Sequence, residues 1–141
     1  MRSRSIGFVF QNYSLLPRTT AIDNVAAPLL YQGVPASERR RRAQAALERV
    51  GLGDRVNHQP SELSGGQQQR VGIARAIVTE PRMLLADEPT GNLDSHSGAE
   101  VMALLRELNA SGRTVVLITH EEAVADAADR KISLHDGRVA A

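Results

Sequence analysis

The sequence predicts an α/β domain with parallel strands, and three observations carry that expectation. Residues 83–86 and 115–118 are short aliphatic runs that end abruptly in polar residues, as strands do when they feed the ligand-binding edge of a parallel sheet. Between them, residues 95–110 place Val101, Leu104, Leu105 and Leu108 on one helical stripe. Strand, helix and strand over this length form a crossover unit, expected to be parallel and right-handed. Upstream, Leu63-Ser64-Gly65-Gly66-Gln67 opens a helix-forming run. Ser64 can cap that helix, the glycines allow close backbone approach by a ligand, and a helix N-terminus attracts anions.

Taken in order, Ile6-Gly7-Phe8-Val9-Phe10 is β-prone and ends at Gln11, so the chain is expected to start in mid-domain. Residues 12–20 read as loop, with Pro17 as breaker. Residues 21–31 are apolar at helical spacing through Ile22, Val25, Ala26, Leu29 and Leu30, with Pro28 expected to bend or split the helix. Gly33-Val34-Pro35 is a turn. Residues 38–50 form a helix with Ala43, Ala46, Leu47 and Val50 on one face, stopped by Gly51 and Gly53. Arg39-Arg40-Arg41-Arg42 on that helix reads as a solvated face rather than a nucleic-acid patch. A polar connector, 54–60, leads to Leu63. Helix 68–78 returns the chain to Pro81, and strand 83–87, read as buried, follows. Residues 89–94 are loop. After helix 95–110, Gly112 leads into strand 114–119, then a short helix 121–128, a strand 131–134, and a turn at Asp136-Gly137 into Arg138-Val139.

Composition narrows the function classes. The 42% apolar content supports one globular core, and with only 3% aromatics that core is built from Leu, Val, Ile and Ala. A net charge of +1 gives no drive toward nucleic acid or an anionic membrane surface. Cysteine is absent, so no disulfide framework or thiolate metal site exists. No apolar run approaches the roughly 18 residues of a membrane span, and the basic residues 1–4 lead into no secretory h-region. All but one of the 17 basic residues are arginine, the exception being Lys131. The phosphate-cradling sequence Gly-x-x-x-x-Gly-Lys-Ser/Thr does not occur in these 141 residues.

The candidate chemistry lies at strand ends. Asp87 and Glu88 follow the aliphatic run 83–86, where Asp87 can hold Mg²⁺ and Glu88 can polarise a water. His120 ends the next strand and should lie near the acids if the crossover is right. Gln11 ends the first strand and can reach a metal or water through its amide oxygen. Asp94 serves as an N-cap for helix 95–110, a loop acid, or both. His58, His96 and His135 show no ligand spacing, and Tyr13 and Tyr31 read as packing residues.

Five fixed residues such as 63–67 arise by chance roughly once in a million positions. Together with Gln11, the acid pair, Leu93-Asp94 and His120, in that order, they resemble the nucleotide-binding subunit of an ABC transporter. The resemblance matches Gln11 to the Q-loop, residues 63–67 to the signature motif, residues 83–88 to Walker B with its catalytic glutamate, Leu93-Asp94 to the D-loop and His120 to the H-loop. It implies the C-terminal part of an ABC-type P-loop NTPase core with parallel strands, plus the helical signature subdomain. Residues 1–11 would be core strand and Q-loop glutamine, 12–80 the helical subdomain, and 81–141 the remaining core. ATP and Mg²⁺ are the implied cofactors, with catalytic Glu88 and His120. Metal contacts fall to Asp87 and Gln11, and nucleotide or interface contacts to Gln11, Ser64, Gly65, Gly66, Gln67 and Asp94. The implied partners are a second subunit, paired head to tail, and a transmembrane permease that holds the pair on the cytoplasmic face of the inner membrane; no nucleic acid is implied.

The wording of residues 8–17, 63–70 and 86–94 is similar to the macrolide-exporter and lipoprotein-release branch. The use of arginine for lysine, with abundant alanine, suits a GC-rich bacterial source. Family members carry an adenine-stacking aromatic and a P-loop upstream of the Q-loop. The 141-residue polypeptide by itself is therefore expected to bind ATP weakly, to turn none over and to fold poorly with open sheet edges. An alternative expectation is a truncated, non-hydrolysing module that lends its signature motif to a full-length partner.

Overall fold

Three parallel strands order the molecule. The computed structural model describes residues 6–140, so residues 1–4 of the basic N-terminus lie outside it. Strands β1 (Ile6–Val9), β2 (Met83–Asp87) and β3 (Thr114–Ile118) pair in the order β1-β2-β3, all parallel. The register sets Val9 beside Ala86 and Asp87 beside Ile118. Residues that follow the three strands, Gln11, Glu88 and His120, therefore leave the sheet at one edge.

Helices α1 (Ala21–Tyr31), α2 (Ala36–Arg49) and α3 (Gly65–Ile77) pack on one another, and α3 also packs on β1 and on α4 (Ser95–Ala110). Val25, Leu29, Ala43, Leu47, Val71 and Ile73 are completely buried in the core they share with the sheet. Each leucine buried there contributes about 2 kcal/mol relative to exposure. The end of α2 shows why the chain turns where it does. Gly51 has φ +81, which lets its N–H reach the Glu48 carbonyl (3.0 Å) while Leu52 N–H reaches the Leu47 carbonyl (2.8 Å). Leu47 and Leu52 are both buried, which completes a Schellman cap with its apolar contact.

Several expectations are corrected. Helix α1 runs unbroken through Pro28; the proline costs one intrahelical bond, while Ile22, Val25 and Leu29 stay anchored in the core. Leu30 and Tyr31 are exposed, because they lie off that stripe at the end of α1. Helix α3 begins at Gly65 rather than at 68, since Ser64 caps it directly. A single 3₁₀ turn, Pro60–Glu62, precedes it. Strand β2 is not buried on both faces. Leu84 and Ala86 are buried against the helices, Met83 and Leu85 are half-buried, and the same face of the sheet exposes Ile6, Phe8, Val116 and Ile118. Among the described residues, helices cover one face only.

After β3 the chain has little regular structure. Helix α5 (Glu122–Ala125) is a single turn in place of 121–128. The expected strand 131–134 is reduced to β4 (Leu134–His135), which turns at Asp136-Gly137 into β5 (Arg138–Val139) as expected, a hairpin separate from the main sheet. These residues are exposed, so nothing apolar extends the strand backwards to Lys131. Among the described residues no helix is long and apolar enough to cross a membrane.

Candidate functional site

The sheet edge gathers Glu88, Thr119 and His120. Glu88 Oε1 accepts from the His120 backbone N–H at 2.9 Å and lies 2.6 Å from His120 Nδ1. Oε2 accepts from the Thr119 hydroxyl at 3.2 Å. An ionised carboxylate only accepts, so Nδ1 is the ring nitrogen that carries the proton. The Glu88 side chain is 17% exposed and that of His120 82% exposed, so the imidazole roofs the carboxylate from the solvent side. Partial burial works to raise the Glu88 carboxyl, but the ring and backbone donors of His120, with Thr119, outweigh it and hold the group below its ordinary value. The hydrogen bond to Glu88 and then the charge of that carboxylate push the His120 imidazole up; desolvation opposes them, and the charge of Glu121 adds a lesser push upward.

The backbone at Glu88 is strained. Its φ is +46, an uncommon conformation for a residue with a Cβ, and it precedes a proline, which restricts it further. Such a conformation costs about 1–3 kcal/mol and persists only where its surroundings enforce it. Here Glu88 N–H donates to the Ile118 carbonyl (2.8 Å), and the Glu88 carbonyl accepts from Gly91 N–H (3.1 Å) in a tight turn.

Gln11 meets the loop that follows. Its Nε2 faces Asn92 Oδ1 at 3.4 Å, and Asn92 Nδ2 donates to the Gln11 carbonyl at 3.1 Å. Glycine at 91 lets the Gln11 amide sit at this crossing, because a Cβ there would displace it. With its amide nitrogen engaged by Asn92, Gln11 has its oxygen as the group to offer a cation. Asp87 is exposed at the end of β2. Two hard oxygen donors fit Mg²⁺, which takes few protein ligands and fills its octahedron with water and phosphate oxygens. Among the described residues no cluster of three or more acids and histidines could hold a metal unaided.

The signature helix is capped as the sequence suggested. Ser64 Oγ accepts from Gln67 N–H (3.1 Å), and Gln67 Oε1 accepts from Ser64 N–H (2.9 Å), a reciprocal capping box. The glycines also make room for the chain itself. A Cβ on Gly65 would lie 2.9 Å from the Tyr13 hydroxyl, and one on Gly66 would lie 3.0 Å from Ser97. The space they release is filled by the chain's own loop and by the start of α4. Asp94 caps α4 by accepting from Ser97 N–H (2.7 Å), a bond that lowers its carboxyl. The N-termini of α3 and α4 thus abut, with the side chains of Ser64 and Asp94 exposed or partly exposed beside them.

A protein-family model described as ABC transporter matches residues 1–91. The chain belongs to the ABC transporter family. It is 55% identical over 139 residues to an uncharacterized ABC transporter ATP-binding protein of Thermotoga maritima, and this match takes in 99% of the chain and 59% of that protein. It is 56% identical over 141 residues to a macrolide export ATP-binding/permease protein of Paracoccus denitrificans, covering 100% of the chain and 21% of that protein. The chain therefore spans about three-fifths of the first of these relatives and a fifth of the second. Among solved structures, the dimeric, ADP- and Pi-bound post-hydrolysis state of the ATP-binding cassette MJ0796 superposes with a TM-score of 0.83 at 47% identity. That match covers 98% of this chain and 62% of that one. The α/β fold is that of an ABC-type cassette.

Other residues of this ABC cassette segment shape the site without having stood out in the sequence. Arg75 donates to the carbonyls of Ser14 (2.8 Å) and Tyr13 (3.1 Å), whose φ values are 54 and 65. It pins the loop after Gln11 to α3. Tyr13 packs along α3 toward Gly65, and burial raises its hydroxyl, whereas Tyr31 at the end of α1 is 90% exposed. Asn92 and Thr119 lie next to motif residues; the first was legible only as loop and the second only as the last residue of a strand. Gln69 is completely buried. Its spacing gave the one available signal: Gly65, Gln69, Gly72 and Ala76 fall on one helical face, which directs an amide inward.

Proposed function

We propose that this chain is part of the ATP-binding subunit of an ABC exporter and that it hydrolyses Mg-ATP to drive transport through a membrane partner. The observation that carries the reading is the Glu88 carboxylate, ionised and oriented by three donors at the edge of a parallel sheet. MgATP supplies the phosphoanhydride whose cleavage powers the cycle. Glu88 orients the attacking water through a carboxylate oxygen. His120 fixes that carboxylate through Nδ1–H and, when the ring is protonated, turns its second N–H outward as a donor to a terminal phosphate oxygen. Asp87 and the Gln11 amide oxygen would hold Mg²⁺, whose charge would neutralise the phosphate oxygens. Ser64, Gly65 and Gly66, with Gln67 completing the cap, present hydroxyl and helix N-terminus to a phosphate bound on a second, head-to-tail subunit. Asp94 lies where the two subunits would meet.

Support for export comes from similarity to the macrolide export ATP-binding/permease proteins. Lipoprotein release belongs to the same reading through the wording of the Gln11 loop. Such a subunit would sit at the cytoplasmic face of the membrane, held there by its permease.

The test is Mg-ATP turnover by the protein in its natural assembly. Glu88→Gln keeps the shape and removes the charge, so turnover should fall by about 10²–10⁴-fold with nucleotide still bound. Turnover within about twofold of the parent would overturn the reading, since a positioned carboxylate is worth far more than that.

A further inference from the structure

We propose that Gln69, on the signature helix, is a positioning residue for Glu88. The inference rests on the reading of Glu88 as the group that orients water. Gln69 is completely buried, and its Nε2 donates to the Pro89 carbonyl at 2.6 Å, at the short end of the range for such bonds. The opposite amide orientation would set two oxygens at that distance, so the nitrogen is the atom that faces Pro89. Gln69 Oε1 is then buried with no hydrogen-bond partner among the described residues. A buried amide satisfied on one side only is a poor packing residue, because the orphaned oxygen is desolvated for nothing. Its single bond is therefore the reason for its presence.

That bond falls on the residue after the strained one. Glu88 has φ +46, and its own N–H is held by Ile118 on the β3 side. Gln69 holds the Pro89 carbonyl from the α3 side, at a point where no other hydrogen bond from the described residues reaches that carbonyl. The strained turn is thus clamped between β3 and the signature helix. The clamp also links the two functional ends of the chain, because α3 carries Ser64 at its start and Gln69 five residues on. A shift of α3 along its axis pulls on Pro89 and so on the direction of the Glu88 carboxylate.

Gln69→Met and Gln69→Leu test this in the natural assembly. Each removes the orphaned oxygen and leaves the Pro89 carbonyl unpaired, two opposed changes that leave the melting temperature near that of the parent. The expected result is a fall in kcat of about ten- to a hundredfold with KM for ATP changed by less than about twofold, because Gln69 orients a catalytic group and does not touch nucleotide. In a Glu88→Gln background the same substitutions should add no further loss. In nucleotide-free protein, the His120 ring signals in NMR should move toward those of the Glu88→Gln protein, although Gln69 makes no hydrogen bond to His120. Unmoved His120 signals, an unchanged kcat, or a rise in KM alone would each overturn the proposal. If Glu88→Gln itself leaves turnover intact, the functional reading fails, and the His120 signals still decide whether Gln69 positions Glu88.

Discussion

Replacing Gly7 by alanine puts a methyl group in place of a hydrogen at a point with no room for it. The new Cβ would lie 2.5 Å from the Ala76 carbonyl oxygen, 2.9 Å from Leu84 Cδ2 and 3.1 Å from Pro81 Cγ. The first of these is backbone in α3, the second a fully buried side chain and the third a proline ring, so none can swing aside. Relief requires β1 to move away from α3, which loosens its pairing with β2 at the register step of Gly7 with Leu84. Overpacking of this kind costs about 1–3 kcal/mol, and three rigid neighbours place it near about 3. For a chain of this size that lowers the melting temperature by roughly 10 °C. Thermal unfolding followed by circular dichroism, with the variant in the same assembly as the parent, checks it. A shift of under about 3 °C, corresponding to less than about 1 kcal/mol, would refute the packing argument.

Gly91→Ala should behave in the opposite way. Its Cβ meets only the end of the Gln11 side chain, which is exposed and can swing out at a cost of about 1 kcal/mol in lost hydrogen bonding. Melting should barely move, while Mg²⁺-dependent turnover falls because the Gln11 amide is displaced; normal turnover would exclude Gln11 from the metal site. Ser64→Ala removes one half of the capping box and should destabilise the protein by about 1 kcal/mol in chemical denaturation, against no change if the cap is incidental. The Glu88–His120 pair sets a pH window. A raised His120 value means its contribution is complete below 6.5 and is lost as pH rises through the higher folded value; the lowered Glu88 value means its contribution is complete above 4.5 and is lost as pH falls through the lower one. The contact is therefore fully in force between 4.5 and 6.5. NMR titration of His120 should give a midpoint above 6.5 that returns toward 6.5 in Glu88→Gln. A midpoint that ignores this substitution would show that Glu88 is not its partner.

The parallel pairing of β2 with β3, the crossover through 95–110 and the edge at which Glu88 and His120 emerge were legible in residue pattern, because period and strand-end polarity are local properties of the chain; the place of β1 beside β2 was not. The caps on α3 and α4 were equally legible, since Ser64 with Gln67 and Asp94 with Ser97 act over three residues. Only the tertiary structure decided what fills the space beside Gly65, Gly66 and Gly91, which face of β2 is covered, and that Leu30 and Tyr31 point outward. It alone brought Gln69 to Pro89 and Arg75 to Tyr13 and Ser14, contacts separated by 20, 62 and 61 residues. A hydrogen bond over such a span leaves no periodic trace, because its two ends are chosen by the packing of helices on the sheet and not by their neighbours in the chain. The strained φ of Glu88 belongs to the same class: nothing in Asp-Glu-Pro calls for it, and it exists because β3, α3 and the following turn together hold it in place.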